Sequence, residues 1–123
     1  MRALVIDDSR VVRIIIGEIL REIGMEVLEA ADGVEALEQL KNHSDVALML
    51  VDWNMPRMNG FDFIRAVRAD HAYDAVRILM VTSEAQGDQV TRALNAGANE
   101  YLMKPFSKDV LIAKLNLMDV LQE

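Results

Sequence analysis

There is no cysteine among the 123 residues. That absence removes disulfide frameworks, thiolate zinc sites and cysteine nucleophiles, and leaves a reducing cytoplasm as the compatible compartment. Positive charge is also in short supply, with 13 Lys and Arg against 20 Asp and Glu and a formal net charge of −7. A sequence-independent grip on nucleic-acid phosphates would work against the field of the whole molecule, so direct nucleic-acid binding is not expected. Membrane-directing segments are missing too. Only Met1 and Arg2 precede the apolar run Ala3 to Ile6, which ends at once in Asp7 and Asp8, and this fits neither a signal peptide nor a span. No linker, low-complexity tract or internal repeat interrupts the chain. Its length and its 52% apolar and 27% charged residues suit a single soluble domain, residues 1–123, with a real core.

Within that domain, short apolar runs alternate with longer stretches of helical period, the pattern of β-α units around a parallel sheet. Five strands are expected, at Ala3 to Ile6, Glu26 to Ala30, Val46 to Val51, Arg77 to Val81 and Glu100 to Met103. The first, third and fourth are almost unbroken apolar runs, as strands buried on both faces must be, and belong in the centre of the sheet. The second carries Glu26 and Glu29 and the fifth is short and polar at its start, which suits edges.

The intervening segments read as helices with recognisable ends. After Ser9 as N-cap, Val12, Ile15, Ile16, Ile19, Leu20 and Ile23 form an apolar stripe that stops at Gly24. Asp32 with Glu35 three residues on predicts a capping box for a second helix burying Val34, Leu37 and Leu40. Asn59 and Gly60 open a third helix (Phe61, Ile64, Val67). Gly87 lies near the start of a fourth (Val90, Ala93, Leu94), and Ser107 caps a fifth (Leu111, Leu115, Met118).

Right-handed crossovers place the carboxyl ends of all parallel strands on one edge of the sheet, where such folds bind ligands. The residues just past the strands are Asp7 and Asp8, Asp52, Thr82, and Lys104 with Pro105. Taken singly, each has a plain reading: Asp and Thr cap helices or form turns, and Lys is a solvated surface group. Together they assemble three carboxylates, a hydroxyl and an ammonium. Crowded carboxylates repel unless a cation compensates them, and an all-oxygen cluster suits Mg²⁺. An aspartate can accept a phosphoryl group when metal and ammonium neutralise its oxygens. Asp52 is the candidate acceptor, Asp7 and Asp8 the candidate metal ligands, Thr82 a donor to a phosphoryl oxygen and Lys104 the countercharge.

The segments VIDDS (5–9), VDWNMPRMNG (51–60), MVTSEA (80–85) and NAGANEYLMKPF (95–106) resemble the receiver domain of two-component response regulators, and the resemblance covers essentially the whole chain. It implies a doubly wound, flavodoxin-like five-stranded parallel sheet with strand order 2-1-3-4-5. It further implies phosphorylation of Asp52, Mg²⁺ held by Asp8, Asp52 and the backbone carbonyl of Asn54, with Asp7 assisting through water, and a cis Lys104–Pro105 bond. Thr82 matches the switch position. Trp53 and Asn54 after the acceptor, Glu84 and Ala85 after Thr82, Tyr101 in the fifth strand and Lys114 on the last helix look like the single-domain, CheY-like chemotaxis type. For Trp53 and Tyr101 the plain alternative is packing at the sheet edge. Ser9 and Arg10 after the aspartate pair depart from the chemotaxis pattern.

The implied function is a monomeric cytoplasmic switch that takes a phosphoryl group from a sensor histidine kinase and signals by binding an output protein, such as the flagellar motor switch. It is not an enzyme toward other substrates. Three rivals stand beside it: a phosphorelay intermediate, a receiver excised from a multidomain regulator, and a Mg²⁺-dependent aspartyl phosphatase. The phosphatase is disfavoured because Asn54, not an acid, lies two residues past Asp52. A flavodoxin-like electron carrier is disfavoured because Asp7 and Asp8 would repel a flavin phosphate.

Overall fold

The structure, a computed structural model, describes residues 1–83 and 87–120. Strands β1 (Arg2–Ile6), β2 (Glu26–Ala30), β3 (Val46–Asp52), β4 (Arg77–Thr82) and β5 (Glu100–Met103) alternate with helices α1 (Arg10–Glu22), α2 (Gly33–Asn42), α3 (Gly60–Arg68), α4 (Gly87–Ala96) and α5 (Lys108–Leu117). A short 3₁₀ turn, His71–Tyr73, precedes β4. The five strands form one parallel sheet in the order β2-β1-β3-β4-β5, with the expected centre and edges.

Side chains of the central strands alternate between two cores, as the two-residue period of a strand requires. Leu4, Ile6, Met49, Val51, Ile78 and Met80 pack with Ala36, Leu40, Phe63, Ile64 and Ala93 beneath α2, α3 and α4. Ala3, Val5, Leu48, Leu50, Leu79 and Val81 pack with Ile16, Leu20, Leu111 and Leu115 beneath α1 and α5. Both faces of β1, β3 and β4 are therefore dry, which explains their unbroken apolar sequence.

Helix ends follow the expected capping chemistry. Side chains of Ser9, Asp32, Asn59 and Ser107 accept hydrogen bonds from the N–H groups of Val12, Glu35, Asp62 and Val110. The Glu35 carboxylate turns back to the N–H of Ala31, one residue earlier than the standard capping box. Three residues assigned to helix cores by periodicity are exposed: Ile15, Val34 and Leu94. Each shares its helix with neighbours that fill the contact with the sheet, Ile16 and Leu20 in α1, Ala36 and Leu40 in α2, Ala93 in α4. The apolar stripe is wider than the strip of sheet each helix covers.

The tightest approach to the strand-end edge occurs at the start of α3. The Gly60 N–H donates to the Trp53 carbonyl at 2.9 Å. A Cβ at Gly60 would collide with the backbone carbonyl oxygen of Asp52 and press on the Cα of Trp53. Gly60→Ala is therefore expected to cost about 1–3 kcal/mol, the range of overpacking against an unyielding neighbour. Urea unfolding of the variant checks this, with Ala66→Gly on the exposed face of α3 as the comparison.

Candidate functional site

The loops after β1, β3, β4 and β5 meet at one edge, and the parallel register fixes who faces whom. Ile6 is level with Val51, Asp52 with Val81, and Thr82 with Met103, so Asp7, Asp52, Thr82 and Lys104 leave the sheet at nearly the same height. One carboxylate oxygen from each of Asp7, Asp8 and Asp52 lies within 4.8 Å of the other two. Asp7 and Asp52 are buried and Asp8 is exposed, so the cluster opens to solvent on the Asp8 side.

Lys104 closes the other side. Its Nζ donates to Asp7 Oδ2 at 2.7 Å and to Asp52 Oδ1 at 3.4 Å. The ammonium sits closer to Asp7 than to the candidate acceptor, an arrangement that strand-end placement alone did not reveal. Its backbone is fixed as well: the Lys104 N–H donates to the Thr82 carbonyl at 2.8 Å, and the Lys104–Pro105 peptide is cis, as the resemblance implied. Asp7 is held further by the Ser9 N–H, which donates to Oδ1 at 2.9 Å. The Arg13 guanidinium, paired with Glu29, donates to the Asp7 carbonyl at 2.6 Å.

These contacts set the charge states. Burial, then repulsion from Asp7, pushes the Asp52 carboxyl up from 3.8 to about 6, with a smaller contribution from Asp8 and partial relief from Lys104. Burial pulls the Lys104 ammonium down, but Asp7 and Asp52 together outweigh it and hold its pKa above the ordinary value. A single ammonium thus only partly offsets three carboxylates. Clustered hard oxygens with uncompensated negative charge and one open side are the donor set that a small hard cation such as Mg²⁺ takes. Asn54, whose backbone carbonyl the resemblance implies as a metal ligand, is exposed two residues past Asp52.

Thr82 is fully buried at the end of β4. Glu84 and Ala85, expected to follow it on the output surface, lie outside the described residues. Tyr101 is half-buried on β5, level with Met80 and packed against the core beneath α2, α3 and α4. The Lys114 ammonium stands 4.4 Å from the centre of its ring and bonds Glu100 at 3.1 Å, so α5 is tied to β5 across the aromatic. Trp53 is buried and packs at 5.8 Å, tilted, against Phe61. Its packing reading therefore holds, while it remains the residue next to Asp52.

One functional contact escaped the sequence reading. Arg57, in the loop between β3 and α3, adopts the left-handed backbone conformation at φ 64° and reaches Asp32 Oδ2 at 2.7 Å. The Arg57 guanidinium holds the buried Asp32 carboxyl below its ordinary value. Asp32 is thus both the cap of α2 and an anchor for the loop that carries Asn54. Only its capping role has a local sequence signal, because Arg57 is 25 residues away.

A folded-state pKa raised to about 6 means that the native protein binds a proton at Asp52 that the unfolded chain has released between about pH 4 and 6. This carboxylate therefore removes stability as pH rises through that window. In the absence of divalent metal, Asp52→Asn is expected to melt at a higher temperature than the wild type at pH 7.5, with the gap narrowing toward pH 4. Added Mg²⁺ is expected to raise the melting temperature of the wild type more than that of the variant. Thermal melts of both proteins across pH, with and without Mg²⁺, measure each effect.

The family model of the response regulator receiver domain matches residues 3–116. The chain is 45% identical over 119 residues to the chemotaxis protein CheY1 of Helicobacter pylori, covering 96% of each chain. Its fold superimposes on the chemotaxis protein CheY4 of Vibrio cholerae with TM-score 0.87 and 36% identity, over 94% of this chain and 95% of that one. It also superimposes on a probable two-component response regulator/GGDEF domain protein with TM-score 0.90 and 30% identity, over 100% of this chain and 51% of that one. A doubly wound sheet whose strand ends gather three aspartates, a buried threonine and a lysine, with these relatives, makes the chain a member of the response regulator receiver family, of the CheY-like chemotaxis type.

Proposed function

We propose that this chain is a phosphorylation switch in chemotaxis signalling, with Asp52 as the phosphoacceptor. The observation that carries the proposal is the ammonium of Lys104 spanning Asp7 and Asp52 beside the exposed Asp8. An Asp52 carboxylate oxygen attacks the phosphorus of a phosphohistidine on a sensor kinase, the P–N bond breaks, and the imidazole leaves with the electron pair. With a pKa of about 6, Asp52 is mostly ionised at neutral pH and serves as the nucleophile. Asp8, Asp52 and the Asn54 carbonyl would hold Mg²⁺, with Asp7 assisting through water. When bound, Mg²⁺ supplies positive charge to the transferring phosphoryl oxygens. Lys104 is placed to move its ammonium toward a phosphoryl oxygen and Thr82 to donate its hydroxyl to another.

The phosphodonor kinase would dock over the apolar shelf beside the site. A hollow of about 310 Å³ lined by Val12, Ile15, Pro105 and Phe106 adjoins Lys104, and Val11, Ile14 and Ile15 of α1 are exposed. Output would use the opposite flank. Drawing Thr82 toward the phosphoryl group vacates space behind it, and Tyr101 turns inward away from Lys114, changing the face formed by α4, β5 and α5. Glu84, Ala85, Tyr101 and Lys114 are the proposed output residues. The partner there would be an amphipathic segment of the flagellar motor switch or an equivalent target. The chain is proposed to act as a cytoplasmic monomer. A second reading, the receiver half of a larger regulator, is favoured by the likeness to the GGDEF-domain protein.

Acetyl phosphate with Mg²⁺ is expected to add one phosphoryl group that hydroxylamine releases, and Asp52→Asn to abolish it; labelling of that variant at wild-type level would place the acceptor elsewhere. Ile15→Asp is expected to slow transfer from the kinase while leaving the acetyl phosphate reaction intact. For output, amide shifts induced by beryllofluoride should reach Tyr101 and Lys114. Shifts confined to the loops after Ile6, Val51 and Met103 would favour a phosphorelay intermediate instead.

A further inference from the structure

On the α3–α4 side of the molecule, away from the aspartate cluster, a groove of about 490 Å³ is lined by Phe61, Arg65, Arg68, Arg92 and Asn95. The guanidinium groups of Arg65 and Arg92, one from each helix, stand 5.6 and 4.5 Å from the centre of the Phe61 ring. Arg68 is fixed at the base of α3. Its nitrogens donate to the carbonyls of Gly97, Tyr73 and Val76 at 2.7–2.9 Å and to the Asn99 side chain at 3.1 Å. Among the described residues no carboxylate lies within 4.0 Å of these three guanidiniums, although the chain carries seven more negative than positive charges. Asp88, one helical turn before Arg92, does not reach it within that distance.

Two neighbouring cations without a bonded anion, both ordered on one aromatic ring beside an Arg68 whose donors are already taken, form a preorganised acceptor for negative charge. Planar guanidinium groups match phosphate oxygens two at a time and also offer a flat face for stacking. We propose that the α3–α4 groove binds a nucleotide, its phosphates held between Arg65 and Arg92 and its base stacked on the guanidinium and Phe61 surface. A ligand there would bridge α3 and α4. Its arrival would also be sensed near the acceptor, because Phe61 packs directly on Trp53, the one tryptophan of the chain.

The 123-residue Asp52→Asn chain in metal-free buffer keeps the aspartate cluster out of the measurement, and Trp53 emission with calorimetry reads binding of ATP, tripolyphosphate and adenosine. ATP is expected to bind about tenfold or more tighter than either of the other two, since it alone engages both cations and the stacking face. Arg65→Ala and Arg92→Ala, both at exposed positions, are each expected to weaken ATP about tenfold, while Lys41→Ala on α2 leaves it unchanged. Amide shifts should centre on Phe61 and Asn95. Equal affinity for ATP and tripolyphosphate would overturn the nucleotide assignment and leave a simple polyanion sink. Tighter binding of an oligoglutamate peptide would make the groove a protein-docking surface. ATP binding unaffected by either arginine variant, or no binding at all, would remove the site.

Discussion

Everything at the strand-end edge follows from forcing three carboxylates into one pocket with a single ammonium to answer them. Asp7 and Asp52 leave adjacent central strands at the same height, and neither can retreat because the strands that carry them are buried on both faces. Burial, together with the shortage of positive charge in the pocket, holds the pKa of Asp52 above its ordinary value. A pocket of this kind is strained electrostatically until a cation enters, and that latent strain is what a bound cation can draw on.

The surrounding fold keeps this strain from dissipating. Gly60 lets α3 bring its first turn close against the Asp52 carbonyl, an approach that a side chain at this position would block. Arg57 fastens the following loop to Asp32 and α2, and the Lys104 backbone is bonded to the end of β4 through Thr82. The last contact joins the buried threonine to the lysine that spans the carboxylates. From there β5 leads to Tyr101, which is braced by Lys114 of α5. A change of charge at Asp52 therefore meets a rigid floor on the β1–β3 side and a connected set of polar contacts on the β4–β5 side.

The two long sides of the domain differ in chemistry. Beside Lys104 the surface is apolar, with Val12, Ile15, Pro105 and Phe106 lining one hollow. Along α3 and α4 it is cationic, with arginines ordered on Phe61.

The strands, their central or edge position and most helix caps were legible in the sequence, because burial on two faces and capping are local demands that leave local residue patterns. The same holds for Asp7, Asp8, Asp52, Thr82 and Lys104, whose places just past apolar runs follow from strand ends alone. What the sequence did not disclose depends on distance through space. Ile15, Val34 and Leu94 are exposed because a helix covers only the width of sheet its neighbours leave free. Lys104 bonds Asp7 more closely than Asp52, Arg57 reaches Asp32 across 25 positions, and Arg65 and Arg92 share one ring from two helices. The sequence by itself determined which groups stand at the strand-end edge, since they directly follow the apolar runs that form the strands. Only the tertiary structure decided how those groups pair, because side-chain reach and the packing of separate elements set distances that no spacing along the chain encodes.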